Sequence, residues 1–321
     1  MQILKKTLHF YLFVLIVSYG QYCSGQQNIL QKVIYDQQLS GITSNFIIPN
    51  HNEAIIFGNG PLLSNFPNTL IGDGIIVKVD SSLNLIWKKT LGNSPKFYDA
   101  ASSPDSSFAV IGNFMNGQNN INSSFCIKYK PNGDTAWCRK LARGNTSIVP
   151  TSIASTNDSG FVICGLNAVT PYNNAFVIKI NKRGTLNWFK LILGISANDN
   201  ILTHAVKQTS DSGYVIIGGY ASINGAFLIK FNKTGNMLWS KKINGINANL
   251  NTGMDLITEG KNLICAFDVG SPTLVRTDSI GNVISSNSFK LLPSSYDNTK
   301  YFKLKNTKNN GFLVLVNNKS P

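Results

Sequence analysis

Four times along this chain a lysine is followed nine places later by a tryptophan: Lys78 and Trp87, Lys128 and Trp137, Lys179 and Trp188, Lys230 and Trp239. The tryptophans stand 50, 51 and 51 residues apart. Core aromatics scattered through an unrepeated fold keep no such interval, whereas tandem copies of one supersecondary unit do. Repetition is therefore the strongest constraint on what this chain can become.

Each copy has two halves. The clearer half, seen in 226–245, is an apolar run, a polar turn over 232–235 and a second run centred on Trp239. Its counterparts lie at 75–92, 125–144 and 175–194; a degenerate fifth at 273–291 has Ser285 nine places after Arg276, where tryptophan is expected. Asparagine or aspartate followed by a glycine-containing turn between apolar runs predicts a β-hairpin. In the other half a turn rich in Asp and Ser (103–107, 156–160, 209–213) leads into a compact apolar run ending in glycine (108–112, 161–165, 214–218). Side-chain oxygens in such turns can bond the backbone two residues on, which accounts for their composition without chemistry.

Four short strands per unit, with no helical periodicity, predict a propeller blade. The expected fold is all-β: a β-propeller of six blades, each a four-stranded antiparallel sheet. Six first halves but only five second halves can be counted, so the last blade is either incomplete or closed by an N-terminal strand. Residues 29–35 read as an orphan copy of the tryptophan strand.

The recurring pattern of Asp-Ser-Gly-Phe/Tyr, apolar strand, Gly, then Ile-Lys-x-Asn, Gly, Trp-x-Lys and Gly resembles secreted β-propeller repeat proteins of Bacteroidota-type bacteria. It covers about 28–317. The resemblance implies a fold and an exported location; the matching residues are blade scaffolding and imply no activity.

The chain opens with Lys5 and Lys6, an apolar run over 8–17 and a small, polar stretch to Gln26. That is the pattern of a secretory signal peptide over 1–25, followed by one propeller domain over 26–321. Removing the leader lowers the net charge from +14 by the two lysines to +12. The cations are dispersed at repeat-equivalent places, not gathered in a block interleaved with aromatics, so they read as solvated surface and no nucleic-acid partner is expected. Anionic glycans or cell envelopes could still attract such a surface. No Cys-x-x-Cys pair is present, so zinc or dithiol chemistry has little support. Cys164 and Cys265 share a repeat position and are expected to be buried thiols. Cys126 and Cys138 flank one hairpin, and whether they pair depends on its register.

Groups able to move protons are few: past the leader stand two histidines, two glutamates and thirteen aspartates. Asp80, Asp105, Asp134, Asp158, Asp211 and Asp278 fall in repeat turns. Asp99 and Asp255 remain as the best acid pair, assigned to inner strands of the second and fifth blades, with His204 on another inner strand. These three are weak catalytic candidates, and polar lining of the channel is the plainer reading. The Asp-containing turns are similar to the Asp-box of sialidases in residue type, but their aromatic follows glycine directly, and no arginine triad accompanies them. One tryptophan per blade in a single register is what a staple between neighbouring sheets requires. Trp87, Trp137, Trp188 and Trp239, with Lys78, Lys128, Lys179 and Lys230, are therefore structural repeat positions.

The sequence leads to an exported, monomeric, non-catalytic binding or scaffold module for a protein or glycan, with no cofactor or metal. Recognition is expected in loops at 60–74, 113–124 and 166–174. The competing classes are a hydrolase or lyase centred on the channel and a truncated fragment without independent activity.

Overall fold

The computed structural model describes residues 14–15, 43–50, 53–59, 73–82, 84–92, 94–115, 121–143, 146–169, 172–193, 201–220, 225–243, 253–268, 272–288, 300–306 and 312–318. Among these residues there are strands and turns and no helix. Five successive antiparallel meanders form the blades. Blade one is β2 (Thr43–Asn50), β3 (Glu53–Asn59), β4 (Gly74–Val79) and β5 (Leu85–Leu91); blade two is β6 (Pro95–Ser102), β7 (Phe108–Met115), β8 (Ile121–Tyr129) and β9 (Thr135–Arg143). Blade three is β10 (Thr146–Ser155), β11 (Phe161–Val169), β12 (Tyr172–Ile180) and β13 (Leu186–Ile192). Blade four is β14 (Ile201–Gln208), β15 (Tyr214–Tyr220), β16 (Gly225–Phe231) and β17 (Met237–Ile243); blade five is β18 (Gly253–Glu259), β19 (Asn262–Asp268), β20 (Pro272–Thr277) and β21 (Val283–Ser288).

The sixth sheet holds β22 (Lys300–Asn306) and β23 (Phe312–Asn318), with the short β1 (Val14–Leu15) on the far edge of β23, Val14 facing Leu315. An N-terminal segment does reach the last blade, but it comes from the apolar run over 8–17; residues 29–35 lie outside the described residues. The first strands β2, β6, β10, β14, β18 and β22 lie beside one another in that order. The fold is a six-bladed β-propeller whose last blade has three strands among the described residues.

The lysine-to-tryptophan interval is the register of the outer hairpin. Lys78 faces Trp87, Lys128 faces Trp137, Lys179 faces Trp188, Lys230 faces Trp239, and Arg276 faces Ser285. A one-residue irregularity follows each of these pairs, where the strand meets its turn.

The core lies between the sheets rather than within any one of them. Val110 and Phe108 of β7 pack with Phe57 and Ile76 toward blade one, while their neighbours Ala109 and Ile111 pack with Ile163 and Phe176 toward blade three. Alternate residues of a strand point to opposite faces. Middle strands such as β4, β15 and β16 are covered on both and are buried throughout.

Each tryptophan sits beneath the hairpin turn of the following blade. Gly235 at the blade-four turn has φ +80°, and a Cβ there would stand 2.7 Å from the Trp188 indole. Left-handed backbone costs a non-glycine residue about 1–2 kcal/mol and overpacking about 1–3 kcal/mol. Gly235→Ala should therefore lose about 2–4 kcal/mol in urea unfolding, whereas Gly92→Ala, with nothing within 4 Å of its new Cβ, should change stability by less than about 0.5 kcal/mol.

Candidate functional site

The inner strands of blades one to five share a feature that the sequence pattern did not carry: a one-residue bulge. It falls between Ser44 and Phe46, Phe97 and Asp99, Pro150 and Ser152, Thr203 and Ala205, and Gly253 and Asp255. The extra residues are thus Asn45, Tyr98, Thr151, His204 and Met254, one per blade in one register. A bulge leaves its extra residue out of the ladder and re-aims the side chains around it. His204 is the bulged residue of blade four's inner strand. Thr151 Oγ1 lies 3.2 Å from Thr203 Oγ1, linking blades three and four.

Asp99 and Asp255 each follow a bulge, and each carboxylate is turned toward the next blade. Asp99 accepts hydrogen bonds from Ser152 Oγ (2.8 Å) and the Ile153 amide (3.0 Å) of blade three, and from its own neighbour Ala100 (3.0 Å). Asp255, 2% exposed, accepts from the Leu304 amide of blade six (3.0 Å) and from Leu256 (2.9 Å). Both aspartates latch adjacent inner strands. Among the described residues no group of three or more His, Cys, Asp or Glu side chains is placed to hold a metal ion.

The four repeat lysines are not solvated surface, as their dispersal suggested. Lys78, Lys128, Lys179 and Lys230 are buried, and each meets an acid from the β2–β3-type half of its own blade: Glu53 (2.6 Å), Asp105 (3.0 Å), Asp158 (3.0 Å) and Asp211 (2.7 Å). Arg276 and Glu259 repeat the pairing in blade five at 2.5 Å. Lys78 also donates to the Pro131 carbonyl (3.1 Å) and Lys128 to that of Ser159 (3.3 Å), so the cations reach across to the next blade's turn.

The turn aspartates bond the backbone two residues on, at Ser107, Gly160 and Gly213, as their composition predicts, and the same carboxylates take the lysine. Partial burial raises the pKa of Asp105, but bonds from Ser107, Lys128 and Ser103 outweigh it and hold the carboxyl at about 2. In Asp211 burial is likewise outweighed, by Lys230, Thr209 and the Gly213 amide, leaving it at about 2. A carboxylate depressed from 3.8 to about 2 adds stability that is present above about pH 4 and lost as pH falls through 2. Acid titration of the unfolding free energy should show that loss, and Asp105→Asn should reduce its slope between about pH 4 and 2.

The cysteine question is settled by register. Cys126 faces Arg139 and Cys138 faces Ile127, so the two thiols lie on opposite faces of the sheet, and both are free. Cys164 and Cys265 are buried thiols. Burial pushes Cys164 up to about 11 against bonds from Thr151 and Thr203.

Two of the three expected recognition loops are mostly strand. Residues 113–115 and 121–124 belong to β7 and β8, and 166–169 and 172–174 to β11 and β12. Their tips, 116–120 and 170–171, and residues 60–72 lie outside the described residues. A cleft of about 510 Å³ opens instead on the outer wall between blades three and four. Its floor is Tyr220, Ile229 and Phe231; Leu191, Leu193, Met237 and Lys190 line it further. Leu193 and Met237 are 67% and 61% exposed.

No family model and no curated protein matches the sequence. Solved structures do. A protein of unknown function from Dyadobacter fermentans is 8% identical with a TM-score of 0.53, covering 80% of this chain and 85% of that one. A protein of unknown function from Bacteroides caccae is 9% identical with a TM-score of 0.48, covering 75% and 78%. BamB from Moraxella catarrhalis is 14% identical with a TM-score of 0.42, covering 87% and 92%. At these identities the likeness is one of fold.

Proposed function

We propose that this chain is an exported β-propeller of the Bacteroidota type that acts as a non-catalytic binding or scaffold module for a protein or glycan. The observation that carries this reading is the engagement of the acids a channel enzyme would need. Asp99 and Asp255 are bonded to the neighbouring blade, and Glu53, Asp105, Asp158, Asp211 and Glu259 to buried or half-buried cations. Hydrolysis by paired carboxylates needs two acids facing one bond about 5–10 Å apart. Acids already turned into the scaffold are poorly suited to it. The outer-wall cleft and its exposed apolar rim offer a rigid surface on which a partner can seat.

Crosslinking of the tagged protein on whole cells tests the reading and should capture one dominant species. Diffuse labelling would count against a specific partner. The joint replacement Asp99→Asn, His204→Gln and Asp255→Asn separates the enzyme class from the binding class: stability should fall while capture persists. Loss of a measured hydrolytic or lyase activity in a variant that stays folded would reverse the assignment.

A further inference from the structure

The outer wall carries positive charge where neighbouring blades meet, and the charge is unbalanced at two adjacent seams. In every blade that bears the tryptophan, the residue two places after it is a cation: Lys89, Arg139, Lys190 and Lys241. Each indole packs under the next blade's hairpin turn, which brings that cation up to the turn. At the first seam Lys89 meets Asp134 at 3.4 Å. The equivalents of Asp134 in the next three blades are Thr185, Asn236 and Asn282, so the carboxylate is absent there, but at the fourth seam the turn supplies Asp278, whose carboxyl feels the charge of Lys241.

At the second seam Trp137 Nε1–H donates to the Lys182 carbonyl (3.0 Å), Arg139 Nε–H to Gly184 (2.9 Å) and Arg139 Nη2–H to Arg183 (3.3 Å). These bonds fix Arg139 against the backbone of a turn whose Lys182 and Arg183 are exposed. At the third seam Trp188 Nε1–H donates to the carbonyl of exposed Lys233 (3.3 Å), and Lys190, two places after this tryptophan, lines the apolar cleft. Five cations thus belong to two consecutive seams, Arg139 fixed by backbone bonds and the others carried by the turns and strand it and Trp188 meet, and among the described residues no salt bridge neutralises them. Like charges held together repel, and a bound anion relieves the repulsion.

We infer that this strip binds an acidic polysaccharide. The strip lies on a convex wall whose successive seams face different directions around the ring. A flat anionic membrane can meet one seam at a time; a flexible chain can follow both. Single-stranded nucleic acid would need aromatic faces on which bases can stack. Here the Trp137 indole lies against Gly184 on one side, with the Arg139 guanidinium 5.9 Å from its ring. A chain recognised through carboxylate or sulfate groups needs only the cations.

The inference gives a ligand class to the binding reading and rests on it. The test passes the full chain over heparin, polygalacturonate and neutral dextran, with a thymidine oligonucleotide and phosphatidylglycerol vesicles as further arms. Both acidic polysaccharides should retain it, less so as salt rises, and dextran should not. Lys182→Gln, Arg183→Gln, Lys190→Gln and Lys233→Gln together should weaken retention at least about tenfold at low salt, because each cation displaced from a polyanion returns a counterion. The charge-matched variant Lys130→Gln, Lys140→Gln, Lys207→Gln and Lys261→Gln should change it less than about twofold. No retention of the wild type, equal loss in the two variants, or tighter binding to oligonucleotide or vesicles would overturn the inference. A dominant species in whole-cell crosslinking that survived those results would leave the binding reading standing, and its absence as well would remove both.

Discussion

Asp158→Asn is expected to lower stability by about 3–4 kcal/mol, several times the loss expected for replacing its partner, Lys179→Met. The reason is an asymmetry of burial. The Lys179 side chain is 4% exposed and that of Asp158 53% exposed. Neutralising the aspartate strands an ammonium in the seam between two blades, with little beyond the Ile180 carbonyl (3.0 Å) to hold it. Removing a partner from a buried charge typically costs about 3–5 kcal/mol, while replacing the charge itself with an apolar side chain of similar length is often close to neutral. Asp158 left alone stays wetted and keeps its bonds to Thr156 and the Gly160 amide. Urea unfolding of the two variants, with unchanged m, measures the difference. Equal losses, or a larger loss for the methionine variant, would mean the carboxylate matters for its turn and not for its lysine.

The second large effect is expected at the join between the last two blades. Asp255→Ala removes the acceptor of the Leu304 amide and leaves that donor in a dry place, at a cost of about 2–3 kcal/mol. The loss should be local. β22 and β23 belong to the last blade, and Asp255 accepts one of the bonds fastening it to blade five. Hydrogen exchange at Leu304 should accelerate by about 30- to 150-fold, with amides of blades two and three little changed. Asp99→Ala should do the reverse, exposing Ile153 and sparing Leu304. If Asp255→Ala instead speeds exchange uniformly, the sixth blade is not an independent opening unit.

These experiments bear on residues whose types were visible in the chain but whose partners were not. The nine-residue interval between lysine and tryptophan was legible because a hairpin converts a fixed spacing into a fixed register, and register is local. The turn glycines and the Asp-Ser turns were legible for the same reason. Lys179 looked like a surface cation because its neighbours in sequence gave no hint that a blade would close over it. Its acid stands 21 positions earlier, in the other half of the repeat. A signal was present: wherever the turn aspartate recurs, at Asp105, Asp158 and Asp211, so does the lysine, 23, 21 and 19 residues later. Asp99 and Asp255 were singled out as acids unexplained by turns. The reason for them lies in a bulge and a neighbouring strand, and neither leaves a mark in a single strand's pattern.

The sequence alone determined the repeating unit, its four strands, its outer hairpin register and the all-β class, since all of these follow from propensity and spacing within about fifty residues. Only the tertiary structure decided which lysines are buried, that Cys126 and Cys138 face apart, that the inner acids latch blades together, and that unbalanced cations line two adjacent seams. Each of those depends on what the next blade places against the residue. A chain encodes its own blade by short-range pattern, but it meets its neighbouring blade only after the ring is built.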